Sequence, residues 1–105
     1  MSRIPTGSIY LSRGTWYVRL TIRGRRTDFR APHAASESQA DDRRAVLVEL
    51  LELLRSADAE FRAPTILARA AADDGSNLGA IRELVEGLVR GSERLARPRL
   101  SVVPD

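Results

Sequence analysis

The chain has 105 residues, of which 43% are hydrophobic and 30% charged; this allows a small domain with its own core and excludes wholesale disorder. It contains no cysteine, which removes disulfides, thiol catalysis and thiolate metal sites. The formal net charge of +3 is unevenly spread: residues 1–30 hold seven arginines against one acid, Asp28, whereas residues 31–96 hold twelve acids against eight arginines. A basic module thus precedes an acidic one, and a split of this kind points to a polyanionic partner for the basic half. All basic residues are arginine, whose planar donor fork suits phosphate oxygens and guanine edges.

In chain order, Ser8–Leu11 is a short β-prone run, and Ser12-Arg13-Gly14-Thr15 reads as its turn. Trp16 to Ile22 alternates apolar and polar residues with period two, the strongest strand signal in the chain. Arg23-Gly24 makes a two-residue hairpin turn, Arg25 to Arg30 a third strand, and Ala31-Pro32 ends it. With that turn, Ile22 faces Arg25, Leu20 faces Thr27 and Val18 faces Phe29. The other face then pairs Thr21 with Arg26, Arg19 with Asp28 and Tyr17 with Arg30. Both faces agree on one register, so the pattern predicts an apolar side (Trp16, Val18, Leu20, Ile22, Phe29) and a polar side. Ser8, Tyr10 and Ser12 join the polar side.

Pro32 to Ala35 connects to a long helix, expected from about Glu37 to Ser56 with Ser36 as N-cap and Gln39 completing a capping box. Ala40, Leu47, Leu50, Leu51 and Leu54 form its apolar stripe, widened by Val46, Val48 and Leu53, enough for the sheet on one side and more helix on the other. Residues 58–63 read as a break. A second helix is expected from Pro64 to Asp73 and a third from a Ser76 cap to about Arg90, with a Glu86–Arg90 pair and Gly91 as the C′ residue. Residues 92–105 read as a linker or flexible tail. The predicted class is α+β: a three-stranded antiparallel sheet packed on a long helix, followed by two shorter helices. The expected organisation is a sheet-plus-helix module at 1–57, a helical extension at 58–91 and the tail.

The outer sheet face and its turns give the candidate binding residues: Tyr10, Arg13, Tyr17, Arg19, Thr21, Arg23, Arg26 and Arg30. A three-stranded sheet can enter a DNA major groove; Arg reaches phosphate or guanine, while Thr and Tyr supply hydroxyls and apolar contact to thymine methyls. Asp28 either accepts from cytosine or holds Arg19 in place. A merely solvated strand face would also carry arginine, but here the charge is one-sided and concentrated. Double-stranded DNA is therefore the expected partner, ahead of RNA, whose A-form grooves suit such a sheet less well. The alternative is a protein-interaction or self-association module built on the Leu-rich helices.

Nothing predicts an enzyme, a metal or a cofactor. His33, the lone histidine, sits in a loop beside Pro32; Asp41-Asp42 suits the first turn of a helix, and Asp73-Asp74 lies at a helix end. Gly-rich phosphate loops are absent, and neither Tyr10 nor Tyr17 has the Lys and His company of a nucleophile. No apolar run approaches the ~18 residues of a membrane span. The N-terminal MSRIPTGS has no apolar signal core, so a cytoplasmic location is expected.

The series Gly7-Ser8-Ile9-Tyr10, Gly14-Thr15-Trp16-Tyr17-Val18-Arg19-Leu20 and Gly24-Arg25-Arg26 resembles the start of many bacterial and phage tyrosine recombinases (integrases). The resemblance covers roughly residues 7–56. It implies an arm-type DNA-binding domain, a three-stranded sheet backed by a helix with the sheet docked in a DNA groove, an architecture similar to that of plant ethylene-response DNA-binding domains. At the matching positions it implies DNA contacts by Tyr17, Arg19 and Arg26. The recombinase core-binding and catalytic domains have no counterpart here. The chain therefore reads either as the N-terminal piece of an integrase or as a free-standing small DNA-binding protein.

Overall fold

The computed structural model describes the backbone of residues 7–102 and the side chains of residues 7–91. Three antiparallel strands, β1 (Ser8–Ser12), β2 (Thr15–Ile22) and β3 (Arg25–Ala31), form a sheet in sequential order. Helix α1 (Glu37–Ser56), a single 3₁₀ turn (Glu60–Arg62), α2 (Ala63–Ala72) and α3 (Leu78–Val102) come after it. The fold is α+β, as the sequence pattern predicts.

The hairpin register is the expected one: Ile22 opposes Arg25, Leu20 Thr27, Val18 Phe29, Thr21 Arg26, Arg19 Asp28 and Tyr17 Arg30. On the other edge of β2, Tyr10 opposes Tyr17 and Ser8 opposes Arg19. Both hairpins close on an Arg-Gly pair with positive φ at both positions: 51° and 79° at Arg13-Gly14, 53° and 80° at Arg23-Gly24. This is the type I′ geometry whose twist matches that of the strands. Glycine adopts it freely, whereas arginine in the left-handed region costs about 1 kcal/mol.

The inner face of the sheet makes the core with all three helices. Val18, Leu20, Ile22 and Phe29 are buried against Leu47, Leu50, Leu51 and Leu54 of α1 and Ala63, Ile66, Leu67, Ala70 and Ala71 of α2, with Ile81 and Val85 of α3 joining the same cluster; Ala31 is buried as well. The buried residues of α1 are the five of the expected stripe. Helix α1 lies over β1 and β2, α2 over β3, and α3 packs on α1 and α2. The end of this face nearest the β1–β2 turn is thinly covered among the described residues: Leu11, paired with the half-buried Trp16, stays exposed.

Gly7 enters the sheet at φ +83°, and a Cβ there would stand 2.3 Å from Leu20 Cδ2 and 3.1 Å from the Arg19 carbonyl oxygen. Leu20 is fully buried and has nowhere to retreat. Gly7→Ala is therefore expected to lose about 1–3 kcal/mol by combined overpacking and backbone strain, read as a lower urea midpoint at unchanged slope.

The local signals are kept in part. Ser36 Oγ accepts from the Gln39 backbone N–H, and Gln39 Oε1 accepts in return from the N–H of Ala35, one residue before the position a capping box uses. Pro64 lies in the first turn of α2, which begins one residue earlier than expected. Three expectations about α3 need correction. Ser76 does not cap it: the Ser76 hydroxyl donates to Asp74 Oδ1, and the first helical hydrogen bond runs from Ile81 N–H to the Asn77 carbonyl. Glu86 pairs with Arg82, not Arg90, because Arg82 is also drawn to Glu49 on α1 and lies between the two carboxylates. Gly91 does not end the helix, which runs on to Val102; it lacks the positive φ of a C′ glycine, so nothing at that point reverses the chain.

Candidate nucleic-acid interface

The helices all cover the inner face, so the outer face of the sheet stays open among the described residues. Period-two alternation places Tyr10, Tyr17, Arg19, Thr21, Arg26 and Arg30 on it together, with Arg13 and Arg23 in the turns at opposite ends. All eight sequence-predicted site residues thus belong to one face and its two tips.

The centre of this face is ordered by its own contacts. Arg19 Nε donates to Asp28 Oδ1 at 2.8 Å and Nη2 to Oδ2 at 3.3 Å. The Tyr10 hydroxyl donates to the same Oδ2 at 2.8 Å. The Tyr10 ring stacks on Tyr17 with centroids 5.1 Å apart and planes 7° from parallel, and the Arg19 guanidinium lies 4.8 Å from the Tyr10 centroid. Asp28 therefore holds Arg19, the simpler of its two expected roles, and Tyr10 closes the unit over them.

The electrostatics follow from these bonds. Hydrogen bonding to Arg19, then to Tyr10, holds the Asp28 carboxyl below its ordinary range, and the same carboxylate raises the Tyr10 hydroxyl and the Arg19 guanidinium. A depressed carboxylate contributes stability above its ordinary range and loses it as pH falls through the folded value. The unit should thus hold one charge state from about pH 5 to pH 9 and come apart only in acid. An NMR titration of the Tyr10 ring signals should stay flat around neutral pH and move only in acid, below the ordinary carboxylate range.

Around this closed centre the arginines are available. The side chains of Arg13 and Arg30 make no hydrogen bond or ion pair with a described residue, and that of Arg26 feels Asp28 only at Coulombic range. Arg25 does not belong to this group: it pairs with Ile22 on the inner face and lines a pocket at the rim with Phe61 and Pro64. Sequence reasoning missed the clasp at the β2–β3 turn, where Glu60 accepts from the Arg23 N–H at 2.8 Å and from Arg55 Nε at 3.1 Å, while Arg55 Nη2 donates to the Thr21 carbonyl. This fixes the backbone of that tip and leaves the Arg23 side chain outside the clasp.

Among the described residues no group of His, Asp and Glu is placed to hold a metal ion, and no helix is long and apolar enough to cross a membrane. No family model, curated protein or solved structure matches the chain.

Proposed function

We propose that this protein binds double-stranded DNA by laying the outer face of its sheet in the major groove, as the N-terminal DNA-binding part of a phage-type integrase. The observation that carries the reading is the open sheet face itself, with arginines that have no partner among the described residues around an ordered Arg19–Asp28–Tyr10 centre. Three strands about 4.8 Å apart span roughly 10 Å, which fits a major groove about 12 Å wide. The deep, narrow major groove of A-form RNA would not admit them.

The arginines divide by their company. Arg26 and Arg30, with Arg13 and Arg23 at the ends, suit phosphates, which attract charge without regard to sequence. Arg19 is held side-on by Asp28, so the remaining edge of its guanidinium is pre-oriented for the acceptor pair of guanine. Tyr17 and Thr21 flank it for contacts to neighbouring bases. Strand cleavage and exchange play no part in this role, which is docking.

Competition between duplex DNA and duplex RNA of one sequence tests the proposal: the DNA should win, and equal binding would refute groove entry by the sheet. In the same assay Asp28→Asn should lower affinity by about tenfold for the preferred duplex and much less for a mixed-sequence duplex, since it frees Arg19 without removing a positive charge.

A further inference from the structure

The helical half carries a second surface. The Leu-rich stripe that suggested self-association is consumed by the core: Leu47, Leu50, Leu51 and Leu54 are all buried. The large apolar side chains left in the open are elsewhere. Phe61 is 61% exposed and Leu84 54% exposed, and both line one open groove of about 410 Å³ between the 3₁₀ turn, α2 and α3, floored by Ile66 and Ile81.

The rim of this groove carries uncompensated charge. Of the seven arginines of the helical half with described side chains, four are engaged: Arg43 donates to the carbonyls at the end of α2, Arg44 pairs with Asp41, Arg55 with Glu60, and Arg82 with Glu49 and Glu86. Arg62 and Arg69 are not engaged by any described carboxylate, and both line the groove. Arg62 sits 5.5 Å from the Phe61 centroid. The nearby Asp73 does not answer them, because its oxygens accept from Gly75 N–H, Asn77 N–H and Asn77 Nδ2. In a half-chain rich in acids, unpaired arginines thus coincide with exposed apolar side chains.

We infer that this groove is a docking site for an amphipathic helix of a partner protein, with carboxylates flanking its apolar stripe. The stripe would seat against Phe61 and Leu84, and the carboxylates would meet Arg62 and Arg69 at the edges, where charge sets orientation and partner choice. A symmetric pairing of two copies through this groove would set arginine against arginine, which disfavours a second copy as the occupant. None of the lining residues lies on the outer sheet face, so the site and the DNA face can be filled together.

The test is selection of a display library of helical peptides on the full chain, followed by affinity measurement on variants. Enriched peptides should carry apolar residues at i, i+3 or i+4 and i+7 with Asp or Glu beside them. Phe61→Ser should weaken them by at least about tenfold, the effect of a central aromatic anchor. Arg69→Glu should weaken them similarly, and exchanging the peptide's acids for Lys should recover part of the loss. Both variants change exposed side chains, so the thermal midpoint should stay near wild type and confirm folding. The inference is overturned if no peptide is enriched, if the enriched set is basic or neutral, or if it binds Phe61→Ser unchanged. Sedimentation showing a dimer that Phe61→Ser dissociates would also overturn it, by placing a second copy in the groove.

Discussion

Replacing Arg26 and Arg30 together with alanine is expected to cost about two orders of magnitude in affinity for duplex DNA, with no loss of stability. Both side chains are exposed on the edge strand β3 and make no hydrogen bond that holds the fold. A phosphate contact of this kind is worth roughly 1–1.5 kcal/mol, so two give about a hundredfold. The loss should be nearly the same for every sequence, and the dependence of log affinity on log salt should flatten by about two contacts' worth. Arg19→Ala should behave differently, acting most on the preferred sequence. Anisotropy titrations of the double variant against two unrelated duplexes separate these cases. Unchanged affinity would remove β3 from the interface.

The second large effect concerns the scaffold. Arg43 of α1 extends to the end of α2, where its Nη1 lies 2.8 Å from the Ala70 carbonyl oxygen, 3.1 Å from that of Ala71 and 2.7 Å from that of Asp73. The last carbonyls of a helix have no partner within it, and here the site is partly buried, so water replaces the guanidinium poorly. The charge also opposes the negative end of the α2 dipole. Arg43→Ala should therefore cost about 2–3 kcal/mol, a fall of roughly 10–20 °C in Tm for a domain this small. Arg43→Lys should recover part of it, since an ammonium keeps the charge and the donors but on a shorter side chain. Urea denaturation decides: a change below about 0.5 kcal/mol would mean that the carbonyls are served equally well by solvent. DNA affinity of the folded fraction should not move, because Arg43 lies on the helical side.

Arg43 also illustrates what the sequence leaves unreadable. The strand register was legible because it rests on local rules: alternation in Trp16–Ile22 and a two-residue turn at Arg23-Gly24 determine which residue meets which. The α1 stripe was legible for the same reason. By contrast, Arg43 meets carbonyls about thirty positions away, and no spacing rule marks it. The Ala-rich α2 gave only its boundaries; that it covers the β3 half of the sheet depends on packing of Ala63, Ala70 and Ala71 at close range, which short side chains permit but do not announce. Gly91 misled because a single glycine both ends helices and occurs within them, and its own backbone angles, not its identity, decide between the two.

Within the candidate site the same division holds. Alternation gathered Tyr10, Tyr17, Arg19, Thr21, Arg26 and Arg30 on one face. It could not rank them, since partner choice among neighbouring side chains is settled in three dimensions. The structure makes Arg19 the held member and leaves Arg30 without a partner among the described residues. Phe61 carried no signal, because it lies in the break at residues 58–63, where no periodicity assigns a face.

The central claim is that the outer sheet face binds duplex DNA through its arginines. Fluorescence anisotropy of a labelled duplex, titrated with the full chain from about 50 to 300 mM salt, tests it most directly. Four to five phosphate contacts at about 0.9 counterions each predict a log–log slope near −4, with tight binding at the low end. A slope near zero, or no binding at the lowest salt, would contradict it.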